Sequence, residues 1–207
     1  MKRFMVGLGG VAALLAFAVG FAGAQNKKVN PVVVLETSKG SIEIELNEAK
    51  APISAQNFLW YVDNKFYDGL IFHRVIGPAS KPPDGFMIQG GAFTPDMAQK
   101  EGKAPIENEA GNGLTNDKYT IAMARTADVN SASSQFFINL TDNGFLNQRD
   151  KTPRGFGYAV FGKVTKGMDV VVAIGKVKTG AKNGFEDVPV EAVTITRAYR
   201  KDAAPKK

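Results

Sequence analysis

Apolar residues recur along this chain with two periods, and the shorter one governs most of its length. Between Gly40 and Asn47, Ile42, Ile44 and Leu46 alternate with Ser41, Glu43 and Glu45. That is the pattern of a strand with one wet face. Val32–Glu36 precedes it across Thr37-Ser38-Lys39-Gly40, so the two runs predict a β-hairpin. From Pro52 to about Phe66 the period lengthens. Ala55, Phe58, Leu59, Val62 and Phe66 fall three and four apart, with Gln56, Asn57, Asp63 and Asn64 off that stripe. This predicts an amphipathic helix with Pro52 in its first turn.

Short apolar runs then return at Ile71–Ile76, Phe86–Gln89, Thr120–Ala124, Phe136–Leu140, Ala159–Val164 and Val190–Tyr199. Each predicts a strand. Met168–Ile174, behind Lys166-Gly167, predicts a second, shorter helix. Gly77–Gly85 holds Pro78, Pro82 and Pro83 and reads as a semi-rigid loop, and 94–118 is loop-rich. Many strands, two helices and no βαβ rhythm predict an antiparallel sheet that closes on itself. The chain has no internal repeat, which excludes solenoids and propellers.

The N-terminus is a separate object. Lys2 and Arg3 precede an uncharged run through Val11–Val19, and Ala22-Gly23-Ala24 offers a small-x-small cleavage box. Residues 1–24 are expected to be a signal peptide and 25–207 a single domain with a short basic tail. The alternative is an uncleaved anchor, since Phe4–Ala24 is just long enough to span a bilayer. Its Gly and Ala content and the cleavage box favour the signal peptide. The 207 residues contain no cysteine, which excludes disulfides, thiol catalysis, cysteinyl metal sites and a lipid-anchored cysteine. The formal charge of +6 falls to +4 without Lys2 and Arg3, and the excess is spread over Lys27-Lys28, Lys176, Lys178 and the tail, with no block that interleaves bases and aromatics. A nucleic-acid partner is therefore not expected, nor is a membrane one after cleavage, and the chain is expected to be a monomer.

Against this background Arg74 stands out. It sits within Ile71-Phe72-His73-Arg74-Val75-Ile76, and Gln89 sits within Phe86-Met87-Ile88-Gln89-Gly90-Gly91. A charge on a half-buried strand is costly unless it is paired or used. Both residues are expected at the edge of an apolar groove, aimed at a peptide.

Five blocks carry a resemblance to a known family: Phe72-His73-Arg74, Gly85–Gly91, Ile121–Thr126, Ser134–Asn139 and Val160–Val164. In this order they resemble the cyclophilins, peptidyl-prolyl cis-trans isomerases, and the Ala-Arg-Thr-Ala-Asp form of the third block is similar to the bacterial periplasmic branch. The resemblance implies a mainly β fold, a closed eight-stranded antiparallel barrel capped by two helices. It implies catalysis of X-Pro rotation without cofactor or metal, acting on proline-containing segments of unfolded or exported proteins. Arg74, Gln89 and Phe86 resemble the catalytic positions. Met87, Phe137 and Leu146 resemble the proline pocket, and Ala124, Arg125 and Gln135 positions that hold the substrate backbone. Phe145 stands where many eukaryotic members have tryptophan, which implies weak cyclosporin binding, and Tyr158 replaces a histidine of the pocket wall. The loop between Arg74 and Phe86 is longer than in most members.

His73 is the sole histidine and alternates away from Arg74 on a strand, so a hydrogen-bonded structural role is expected. Ser133-Ser134 has no histidine motif beside it, and Gly90-Gly91 and Gly111-Asn112-Gly113 lack the Lys-Ser/Thr of a phosphate loop. Asn139-Leu140-Thr141 matches a glycosylation sequon but lies in a predicted strand. Phe136 reads as core. A module that grips proline segments without turnover is the rival from a different class, and a metal-dependent hydrolase has no ligand cluster to support it.

Overall fold

A computed structural model of the chain describes residues 29–78 and 85–201 together with Met1. The expected signal segment, the middle of the proline-containing loop and the end of the basic tail lie outside the described residues. Strands β1 (Val32–Thr37) and β2 (Gly40–Leu46) are followed by helix α1 (Pro52–Asp63) and strands β3 (Phe72–Ile76), β4 (Met87–Gly90), β5 (Thr120–Met123), β6 (Phe136–Asn139) and β7 (Val160–Lys166). Helix α2 (Met168–Gly175) and strands β8 (Thr179–Lys182), β9 (Phe185–Pro189) and β10 (Ile195–Arg200) complete the chain.

Eight strands form one antiparallel sheet in the order β10-β1-β2-β7-β5-β6-β4-β3, and β8 pairs with β9 as a separate hairpin. The expected closed barrel is corrected to an open, curled sheet. Its outer strands β3 and β10 share no ladder. They meet at the isolated bridge Ile71–Thr194 and through three backbone bonds, from the amides of Phe72, Ile195 and Gly69 to the carbonyls of Val193, Leu70 and Ile195 (2.7–2.9 Å). Beyond Phe72 the free edge of β3 is covered by β9 instead. A covered edge needs no ladder to be protected.

The β8–β9 hairpin is absent from the sequence expectation. Lys182 pairs with Phe185 across Asn183-Gly184, and both turn residues have positive φ (+50° and +82°). That is the backbone of a two-residue type I′ turn, for which Asn-Gly is suited.

Within β2 the alternation is as expected: Ile42, Ile44 and Leu46 are fully buried. Helix α1 presents Phe58 to the concave face, where it meets Tyr67, Phe136 and Phe161 at ring-centroid distances of 5.3–5.4 Å. Tilted and edge-on contacts at this spacing are favourable beyond the area they bury. The helix ends at Asp63, short of the expected Phe66. Lys65 turns to φ +53°, while the Asn64 amide and Nδ2 both donate to the Trp60 carbonyl (3.1 and 2.7 Å). Asn57, placed off the apolar stripe, is nevertheless buried, and its Nδ2 donates to the Ser133 carbonyl at 2.6 Å. Ala51 cannot cap the helix with its side chain. Glu109 does so from a distant loop, accepting from the amides of Ile53 (3.0 Å) and Ser54 (2.7 Å), where a negative charge also suits the helix dipole.

Strands β4 and β6 are buried on both faces. Ile88, Phe136 and Ile138 enter the concave core, and Met87 and Phe137 enter a second apolar cluster on the convex side with Ile76, Ala122, Leu146 and Val160. Phe136→Ala is expected to cost about 3–5 kcal/mol of stability. A urea titration reads this as a lower midpoint at unchanged slope; a midpoint shift worth under about 1 kcal/mol would show that Phe136 is not the centre of the core.

Candidate active site

The convex cluster is open at one end, and the pairing of three strands decides what stands there. Arg74 on β3 faces Gln89 on β4, and Gln89 faces Phe137 on β6. Arg74 is the one exposed residue of β3, its side chain 47% accessible. Gln89 is held by a bond from its Nε2 to Gln135 Oε1 at 2.9 Å.

Beside this polar edge lies a cleft of ≈ 150 Å³. Met87, Phe137 and Leu146 form its buried floor, and Phe86, Ala124 and Tyr158 are its half-buried walls. Tyr158 meets the Phe137 ring edge-on at 5.7 Å. Arg125 closes the far side with its guanidinium 4.9 Å over the Tyr158 ring. Its nitrogens donate to the carbonyls of Gly157, Thr126 and Pro153, each at 2.9 Å. Arg125 is thereby committed to tying two loops together.

Two expected residues fall outside the cleft. Phe145, 63% exposed, stands on a short 3-10 turn and stacks on Phe86 at 5.5 Å rather than lining the floor. Gln135 lies beyond Gln89, in an adjoining hollow with Thr126, Ser131 and Ser133. The remaining expected residues are brought together.

His73 corrects a further expectation. The β3–β4 register shifts between Phe72 and Arg74, so His73 is the extra residue of a bulge. A bulge breaks alternation and re-aims side chains. His73 and Arg74 therefore line the same hollow, rather than opposite faces. The buried His73 ring packs on Phe93 at 4.6 Å, and its Nδ1 has no hydrogen-bond partner among the described residues. The hydrogen bond expected of a structural histidine is absent at Nδ1 among the described residues. Burial, and then the Arg74 charge, lower its pKa to about 4.

Two features were missed in the sequence. Buried Asn116, Asn139 and Asn143 form a network beneath the cleft. Asn143 Nδ2 donates to the Phe86 carbonyl (2.9 Å) and Asn139 Oδ1 (2.8 Å), and Asn139 Nδ2 donates to Thr120 Oγ1 (2.9 Å). Asn116 Nδ2 donates to Asn147 Oδ1 (3.0 Å) and lies 3.4 Å from the Tyr158 carbonyl. The Phe86 and Tyr158 walls of the cleft hang from it. The four-residue spacing of Asn139, Asn143 and Asn147 was the available signal, and the burial of Asn139 explains why its sequon carries no accessible acceptor. The second feature is Asp187 on β9, whose Oδ2 lies 3.9 Å from Arg74 Nε. Asp187 has φ +57°, a left-handed conformation that Asp tolerates better than most residues.

A protein-family model described as cyclophilin type peptidyl-prolyl cis-trans isomerase matches residues 32–200. The chain is 60% identical over 166 residues to peptidyl-prolyl cis-trans isomerase cyp18 of Streptomyces antibioticus, covering 80% of this chain and 96% of that one. It is 47% identical over 197 residues to peptidyl-prolyl cis-trans isomerase A of Dickeya dadantii, covering 95% and 96%. Among solved structures, a cyclophilin-type isomerase of Cryptosporidium parvum superposes with a TM-score of 0.68 over 84% of this chain and 99% of that one. At 24% identity that likeness speaks for the fold.

The depressed pKa of His73 has a consequence for stability. The unfolded histidine takes its proton near 6.5, before the folded one does at about 4. Stability is therefore full above about pH 6.5, falls as pH drops from there towards 4, and the loss is complete below about 4. The shift corresponds to about 3 kcal/mol. Urea midpoints at pH 7 and pH 4.5 should differ more in the native chain than in His73→Phe; equal differences would show that another group carries the acid sensitivity.

Proposed function

This chain belongs to the cyclophilin-type peptidyl-prolyl cis-trans isomerases, and we propose that the X-Pro bonds of its substrate peptides are turned in the Arg74 cleft. The peptide C–N bond resists rotation because the nitrogen lone pair is shared with the carbonyl, a barrier of about 18–20 kcal/mol. At the half-turned point that sharing is lost and the prolyl nitrogen becomes a hydrogen-bond acceptor. A donor placed for that atom stabilises the twisted state over either planar one, which is what raises a rate. The chemistry needs no nucleophile.

Arg74 is the donor in this reading. The observation that carries it is its position: the exposed guanidinium of an otherwise buried strand, at the mouth of an apolar cleft. The proline ring sits on Met87, Phe137 and Leu146 between Phe86 and Tyr158. Apolar walls displace water and so strengthen the bond from Arg74. Gln89, fixed by Gln135, flanks the guanidinium and meets a substrate carbonyl. The backbone at 124–125 holds the residue before proline, so that one side of the bond stays still. Asp187, beside Nε, leaves the two terminal nitrogens of Arg74 for the substrate.

The physiological reading is a monomeric periplasmic enzyme acting on proline segments of exported proteins. It is supported by the basic, apolar and small-residue order of 1–24. On export from a bacterial host, the mature chain should begin at Gln25 by intact mass; a periplasmic chain that keeps Met1–Ala24 would overturn it.

The catalytic assignment is tested on a short X-Pro peptide. Arg74→Ala should lower kcat/KM by about 10²–10³-fold, the range for losing one donor to a developing acceptor. Arg74→Lys should fall between, because a point charge lacks the planar fork. Peptide affinity of the alanine variant, followed by NMR, should stay within a few-fold. Unchanged turnover in Arg74→Ala would remove Arg74 from the mechanism and favour the binding-module rival.

A further inference from the structure

We infer that the hollow between β3 and the β8–β9 hairpin is a second peptide subsite, which takes the side chain of a lysine or arginine lying within a few residues of the proline. This rests on the Arg74 cleft being where the proline binds. The hollow measures ≈ 380 Å³. Arg74 and Gln89 border both it and the proline cleft, so a peptide crossing that edge passes from one to the other.

Its walls are aromatic. Phe93 is buried and packs on His73, and Phe185, 41% exposed, leans on Phe93 with ring centroids 5.1 Å apart. Flat apolar surface of this kind suits the methylene stem of a long side chain, and its ring faces attract a cation. The hairpin that carries Phe185 is fixed by its I′ turn, and Gly184 at that turn leaves the rim open: nothing lies within 4 Å of where its Cβ would be.

The charge balance selects the sign. Asp187 offsets Arg74. His73 is neutral at ordinary pH and offsets nothing. Lys182 on the neighbouring strand directs its Nζ to the Pro95 carbonyl at 2.8 Å. Glu186 lines the hollow and makes no hydrogen bond or ion pair among the described residues. An unpaired carboxylate at the rim of a neutral aromatic pocket complements a cation on a long stem and opposes an acidic side chain.

The test uses alanine-flanked X-Pro peptides in which one lysine is stepped from three residues before the proline to three after it. At one position lysine should raise kcat/KM about 3–10-fold over alanine, the range of an exposed ion pair assisted by an aromatic face, and glutamate should lower it. The lysine-to-alanine ratio should fall to about one in Glu186→Gln and below one in Glu186→Lys. It should shrink in about 1 M salt, where screening acts within a few ångströms, and drop partway in Phe185→Ala. The same ratios are read in binding by NMR titration, so the subsite is tested whatever the turnover. The all-alanine peptide reads the isomerase assignment by itself. No lysine-favouring position in the wild type, or a preference that survives Glu186→Gln, would overturn the subsite.

Discussion

The structure depends on one constraint: strands β4 and β6 must bury both of their faces. Side chains alternate along a strand, so adjacent residues serve different clusters. Phe136 enters the concave core and Phe137 the convex cluster, while Ile88 and Met87 divide in the same way. A sheet with one wet face would have left the convex side polar. Here it carries apolar residues that the curled sheet cannot cover with another layer. They are closed by the loops around Leu146 and Tyr158 instead, and a small cleft remains open. The cleft is the unfilled end of a cluster that also stabilises the fold.

Burial on this scale forces polar groups to find partners inside. The asparagine network, Glu109 at the start of α1 and Arg125 across its three carbonyls all answer the same demand. The asparagines and Arg125 also fix backbone that borders the cleft. The cleft walls are loops, and loops do not hold position unaided. Asn143 on the Phe86 carbonyl and Asn116 near the Tyr158 carbonyl give those walls the definition that a strand would supply. Among the described residues His73 is the exception: its buried Nδ1 has no hydrogen-bond partner, and burial keeps the ring neutral. A neutral ring beside Arg74 adds no second positive charge at the mouth of the cleft.

Much of this was legible in the residues, for identifiable reasons. Strong periodicity placed β2 and α1, because burial there is one-sided and leaves a clear pattern. Arg74 was visible as a charge in an apolar run, and the family blocks supplied the cleft residues that periodicity could not. What escaped depended on tertiary context. The bulge at His73 is set by pairing with β4 and leaves no mark in composition. The closure of the sheet was read too simply, because a covered edge and a paired edge look alike in sequence. Asn57 was assigned to the wet side of α1, since its bond to the Ser133 carbonyl joins residues far apart in the chain.

The β8–β9 hairpin shows where local signal and tertiary role part company. Asn183-Gly184 is a strong turn signal, yet Thr179-Gly180-Ala181-Lys182 and Phe185-Glu186-Asp187 lack the alternation that would have made it persuasive. The weak pattern follows from the hairpin's task. It buries Val188 against Ile71, Ala92, Phe93 and Met97, with Pro189 buried beside it, and the rest of its length is exposed or half-buried. Covering the edge of β3 requires one apolar anchor and a stiff turn, and leaves the intervening positions free of packing demands. Those positions hold Phe185, Glu186 and Asp187, and the covered edge is the one that carries Arg74. An edge protected by a ladder would have placed backbone there. Protection by a packed hairpin places side chains there, and with them the chance to restrain the guanidinium on one side and to discriminate among peptides on the other.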